Sequence, residues 1–141
     1  MRKIDKLFNR YGESHRNPTN KMIHWICVPL ITWSLLAALW AWTPIAVYVL
    51  IALAVVFYVS LSLPIAIGML VVSAFMVLTL TVFTGHLLVV AIVVFVAAWI
   101  GQFIGHNIEG KKPSFLEDIK FLLIGPAWLL GFVYRRFGIA Y

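Results

Sequence analysis

No Lys, Arg, Asp or Glu occurs between Lys21 and Glu109. Apolar residues fill that interval, which is long enough for four membrane spans of about 20 residues each. Three breaks divide it. Thr43-Pro44 is a tight turn, Ser62-Leu63-Pro64 is another, and Thr84-Gly85-His86 is the third. They predict spans over Met22–Trp42, Pro44–Ser60, Pro64–Phe83 and His86–Gly105. Pro29 predicts a kink in the first span, since proline removes a helix hydrogen bond. Trp40 and Trp42 mark the far interface of that span. The connections are short and uncharged, as antiparallel neighbours require.

Both ends of the chain follow a different pattern. In Met1–Ser14, Ile4, Leu7, Phe8 and Tyr11 recur at helical spacing among Arg2, Lys3, Lys6 and Arg10, which predicts an amphipathic interfacial helix. Asn17 suits an N-cap and Pro18 the first position of the next helix. Beyond the apolar block, Gly110 and Pro113 end a helix, and Ser114-Phe115-Leu116-Glu117 fits a capping box. The apolar run Phe121–Tyr134 is short and broken by Gly125-Pro126. Lys120 flanks it on one side, Arg135 and Arg136 on the other. That pattern predicts a re-entrant or interfacial helical hairpin, with a tilted fifth span as the alternative. The expected architecture is an all-α integral membrane protein, a single domain over 1–141. Residues 1–21 form the interfacial lead-in, 22–105 the four spans, and 106–141 the segment that follows them.

Composition agrees: 63% of residues are hydrophobic and 11% charged, and mean hydropathy is +1.00. The net charge of +6 comes from the two flanks alone. No basic run alternates with aromatics on a soluble surface, so nucleic acid is excluded as a partner. The flanks instead obey the positive-inside rule, beside anionic lipid. The lone Cys27 excludes an internal disulfide and suits a small apolar helix position. The first 21 residues are too long and polar for a signal-peptide n-region, so no removal is expected.

Topology gathers the chemistry. With the N-terminus in the cytoplasm, four crossings return the chain there at Gly105–Lys112. His15, His24, His106 and Glu109 then share one face, and His86 falls on the other. His106 and Glu109 stand three residues apart on one helix face, with Gln102 one turn earlier. Ionisable residues at membrane depth mark functional sites by default. Imidazoles with a carboxylate suit Fe(II), Zn or Mn, and spacing alone does not choose between them. A di-iron membrane desaturase needs many more histidines than four, so that reading fails. Structural roles stand beside each assignment. His24 suits a helix-interface histidine bonded to a backbone carbonyl, and His15 a cap on a neighbouring helix. Glu109 suits a pair with Lys111 or Lys112. Asn20 and Gln102 suit interhelical hydrogen bonds or support of a ligand more than ligation. Gly101 and Gly105 form a small-xxx-small pair of the kind that brings helices close.

Two segments resemble a known family. Tyr11…His15-Arg16-Asn17-Pro18-Thr19-Asn20…His24…Pro29 is similar to its first signature. Gln102-Phe103-Ile104-Gly105-His106…Glu109-Gly110-Lys111-Lys112-Pro113 is similar to its second, and Gly125-Pro126 resembles its C-terminal Gly-Pro. The family is that of small multi-pass membrane proteins typified by the yeast 2-hydroxy-fatty-acid dioxygenase of phytosphingosine degradation. The resemblance covers both ends of the chain; the middle matches only as membrane helix. It implies an Fe(II)-dependent oxidoreductase for fatty acid α-oxidation, in which a 2-hydroxy fatty acid and O2 give a fatty acid one carbon shorter. It implies His15, His24 and His106 as iron ligands, and Glu109 as a motif residue that is either a fourth ligand or a neighbour of the ligands. Arg16, Lys21 and Lys111 are expected to steer the substrate carboxylate. Two other readings stand beside this one: a Zn-dependent membrane lipid hydrolase, and a non-enzymatic lipid-binding or assembly protein. The expected location is a bacterial inner membrane rather than the endoplasmic reticulum, since a compact chain carries no sorting signal.

Overall fold

The structure, a computed structural model, describes residues 3–13, 17–82, 85–110 and 123–141; of Arg10, Glu13, His106 and Glu109 it describes the backbone but not the side chain. Six helices occur among the described residues. They are α1 (Lys3–Glu13), α2 (Pro18–Trp42), α3 (Pro44–Leu61), α4 (Leu63–Val82), α5 (Leu87–Glu109) and α6 (Ile124–Arg136). Helices α2 to α5 are each long and apolar enough to cross a membrane. The chain is a multi-pass, all-α membrane protein.

Local chemistry sets the boundaries. The Asn17 side chain accepts from the backbone N–H of Thr19 at 2.9 Å and of Asn20 at 3.4 Å, and Pro18 occupies the first turn. The first span thus gains a capped turn below its apolar stretch. It runs unbroken past Pro29 to Trp42. Thr43 and Ser62 adopt extended backbone between helices, and each donates its N–H back to the preceding helix, to Leu39 and Tyr58. The turn before α5 has positive φ at both Gly85 (68°) and His86 (46°). His86 therefore stands outside the helix it was expected to start, and α5 begins at Leu87.

Helix α2 is the hub. It packs along α5 more extensively than any other pair of helices, and it also touches α3, α4 and α6. The outer faces of α3, α4 and α5 present large apolar side chains, among them Leu53, Val71, Phe75, Val93 and Phe103, outward. That suits lipid, which is as apolar as the side chains, so small residues and polar contacts must carry helix association. The α2–α5 seam has this character: Cys27, Ile31, Ala98 and Trp99 form its core, and Gly101 packs against the Cys27 thiol.

The ends behave differently. The apolar face of α1 is covered by protein: Ile4, Phe8 and Tyr11 are buried against Ala127, Trp128 and Leu129 of α6. The Tyr11 and Trp128 rings lie 4.9 Å apart. Pro126 falls in the first turn of α6, so Gly125-Pro126 marks a helix start. At 13 residues α6 is roughly 20 Å long, too short to span a bilayer. Two tyrosines tie this layer to the spans. Tyr58 donates to the Leu123 carbonyl, and Tyr134 to that of Pro64, each at 2.5 Å. The first arm of the expected hairpin, with its capping box, lies outside the described residues.

Candidate functional site

His24 is the centre of the described site. It is 1% exposed, two turns into α2, and its Nδ1 lies 2.9 Å from the Asn20 carbonyl oxygen. A carbonyl only accepts, so Nδ1 is protonated, and in a neutral ring Nε2 carries the lone pair. The expected structural role, a backbone bond, is therefore present. It does not compete with the metal role, because a ligating histidine normally holds its other N–H on such an acceptor.

Opposite stands α5. A Cβ built on Gly105 would overlap the Asn20 carboxamide oxygen and come within 3.3 Å of His24 Cε1. The missing side chain is what lets Asn20 and His24 lie against α5, one residue before His106. Asn20 is fully buried, and Gln102 is 8% exposed. The Gln102 Oε1 is buried with no hydrogen-bond partner among the described residues. Burial without a partner costs about 1–3 kcal/mol, so this oxygen is poised to accept.

The structure thus brings His24 and Asn20 against Gly105 of α5, next to the backbone of His106, with Gln102 buried three residues before Gly105 on the same helix. His106 and Glu109 lie in the last two turns of α5, but their side chains are outside the described residues. His15, Arg16 and Lys111 lie outside them altogether. Lys21 is half-buried in the first turn of α2, three residues before His24. His86 is exposed at the opposite ends of α4 and α5, away from all of these, as the span count requires. Among the described residues no three His, Cys, Asp or Glu side chains gather. The donors that are described fit a divalent first-row metal: a buried imidazole whose Nδ1 is held on a backbone carbonyl, with the Asn20 amide oxygen packed beside it. Sequence reasoning did not see that Gly105 makes room for His24 and Asn20 in particular; the small-xxx-small spacing was the signal for close approach.

On the face of α5 turned away from this seam, the exposed Ile100, Phe103, Ile104 and Asn107 line an open surface hollow. It is apolar along its length, with one amide at the His106 end.

A sequence model of the Mpo1-like family, described as 2-hydroxy-palmitic acid dioxygenase Mpo1-like, matches residues 1–137. The chain belongs to this family. No curated protein and no solved structure matches it.

Proposed function

We propose, on the premise of that membership, that the protein is an Fe(II)-dependent membrane dioxygenase that shortens 2-hydroxy fatty acids by one carbon. The observation that supports this reading is the buried His24, its Nδ1 bonded to the Asn20 carbonyl and its ring held against the helix that carries His106. The atoms balance without a further co-substrate. C2 passes from alcohol to carboxylic acid, C1 leaves as CO2, and the electrons released reduce O2 with water as the remaining product.

His15, His24 and His106 would hold the iron, with Glu109 on the same helix face as His106. Bound there, Fe(II) would supply the redox chemistry and a Lewis acid for the carboxylate and adjacent hydroxyl of the substrate. The chain's own residues do the rest. Asn20 fixes the His24 tautomer and ring plane through its carbonyl. Lys21, with Arg16 and Lys111, draws the carboxylate to this end of the bundle. The acyl tail lies in lipid, among the apolar outer faces of the spans. Catalysis then takes place at the depth of a lipid head group, and the tail need not leave the membrane.

The test is anaerobic Fe(II) loading of the purified protein, followed by 2-hydroxypalmitate and O2. The expected product is the fatty acid one carbon shorter, formed only with O2 and iron. A folded, iron-loaded sample that yields none overturns the proposal. Activity that follows zinc and needs no O2 would favour a hydrolase instead.

A further inference from the structure

Gln102 is a buried polar side chain for which the described residues supply no reason. It lies within α5, 8% exposed, and its Oε1 has no hydrogen-bond partner among the described residues. A side chain there that served packing alone would be apolar, since burying an acceptor without a partner is unfavourable. Its position is particular. About 60° around the helix from it is Gly105, against which Asn20 and His24 pack, and about 40° away on the other side is His106. An acceptor with no donor among the described residues thus lies on the face of α5 between Gly105, against which His24 packs, and the backbone position of His106.

We propose that Gln102 reads the 2-hydroxyl group of the substrate: its side-chain oxygen accepts the hydroxyl hydrogen and so distinguishes a 2-hydroxy fatty acid from a plain one. This rests on the proposed substrate class, and it concerns selection rather than oxidation. The chemistry suits the atom. A fatty acid carboxylate has no hydrogen to donate at the pH of the cell, whereas the hydroxyl on C2 has one. A plain fatty acid in the same place leaves Oε1 unpaired. A site built to pair a hydroxyl rejects the analogue that lacks it more strongly than an apolar pocket rejects an added group. Gln102 is a positioning residue here: it orients the C2–O bond and takes no proton.

Metal-free protein in lipid nanodiscs isolates the effect, because iron would chelate the hydroxyl itself. Binding of 2-hydroxypalmitate and of palmitate is measured on that sample. The wild-type protein should prefer the hydroxy acid by about tenfold, the worth of one well-made hydrogen bond to a desolvated acceptor. In Gln102→Leu the preference should fall towards unity while palmitate binding holds. In Gln102→Glu the ratio should survive, because an acceptor oxygen remains, although both ligands bind less tightly beside the added charge. A Gln102→Leu protein that keeps the tenfold ratio overturns the proposal. So does a wild-type ratio of one, even where the iron-loaded enzyme turns over 2-hydroxypalmitate; the reaction then stands without this role for Gln102. A ratio lost in Gln102→Leu, in a protein that shortens no acid, supports Gln102 and removes the oxidation. Should Gln102→Leu fail to fold, Gln102→Met serves with the same two outcomes.

Discussion

At the scale of single residues, the site depends on what Gly105 lacks. A methyl group there would overlap the Asn20 carboxamide oxygen and press on His24 Cε1 at 3.3 Å. Both neighbours are buried, and the His24 ring is tethered to the Asn20 carbonyl, so neither gives way easily. Gly105→Ala should therefore cost about 1–3 kcal/mol, read as a lower melting temperature in detergent, and should reduce bound iron as well. Gly101→Ala offers a contrast. Its new Cβ would meet only the Cys27 thiol at close range, so adding Cys27→Ala should restore most of the lost stability. For the histidines, His24→Ala should abolish iron binding and His86→Ala should leave the stoichiometry unchanged. Retained iron in His24→Ala would remove that ring from the proposed ligand set. The placement of His86 at the other end of the bundle from His24 was legible in the sequence, by counting spans. Which atoms meet Gly105 was not legible, since small-xxx-small spacing says that helices approach but not what fills the gap.

At the scale of elements, the end layer is where sequence and structure diverge most instructively. The apolar spacing of Ile4, Leu7, Phe8 and Tyr11 predicts an amphipathic helix, and α1 is one. The pattern alone suggests a face turned to lipid, yet Ile4 and Phe8 are buried on α6. Periodicity reports that a face is apolar, not what covers it, and α6 follows more than a hundred residues later in the chain. Likewise Gly125-Pro126 reads as a break in a run, whereas proline in the first turn opens α6 without losing a hydrogen bond. The four long spans were legible because uncharged length is a coarse signal that tertiary context does not override. The packing of α1 on α6 implies a joint response. Trp128→Ala would remove the ring that stacks on Tyr11 and Phe132, at a cost of about 3–5 kcal/mol. Amide hydrogen exchange should then rise in α1 and α6 together while the α2–α5 seam stays protected. Tyr58→Phe, which leaves the Leu123 carbonyl without its phenol, should loosen the start of α6 by about 1–3 kcal/mol.

At the scale of the whole molecule, α2 works as a beam with a different task at each end. Leu36 and Ala37 join a closed apolar cluster with Val47, Leu80, Leu87 and Ala91 at the far end. His24 and Asn20 face α5 at the near end, where α1 and α6 also pack. The proposed chemistry is thereby confined to one mouth, which the rest of the bundle supports from the other end of α2. The basic flanks decide which mouth it is. The charged residues all lie in the end segments, with Lys21 in the first turn of α2 and Arg135 and Arg136 closing α6. Positive residues next to short spans stay on the cytoplasmic side, so the His24 mouth should face the cytoplasm and the exposed His86 the opposite compartment. The single native cysteine is buried in the α2–α5 seam, which leaves a quiet background for labelling. His86→Cys should react with a membrane-impermeant maleimide added to intact cells. Asn107→Cys, exposed at the other end of α5, should react only after the membrane is opened. The reverse pattern would put the candidate site on the outer side. The substrate would then have to be recruited from the leaflet away from the basic flanks, against the charge arrangement that draws a carboxylate to Lys21.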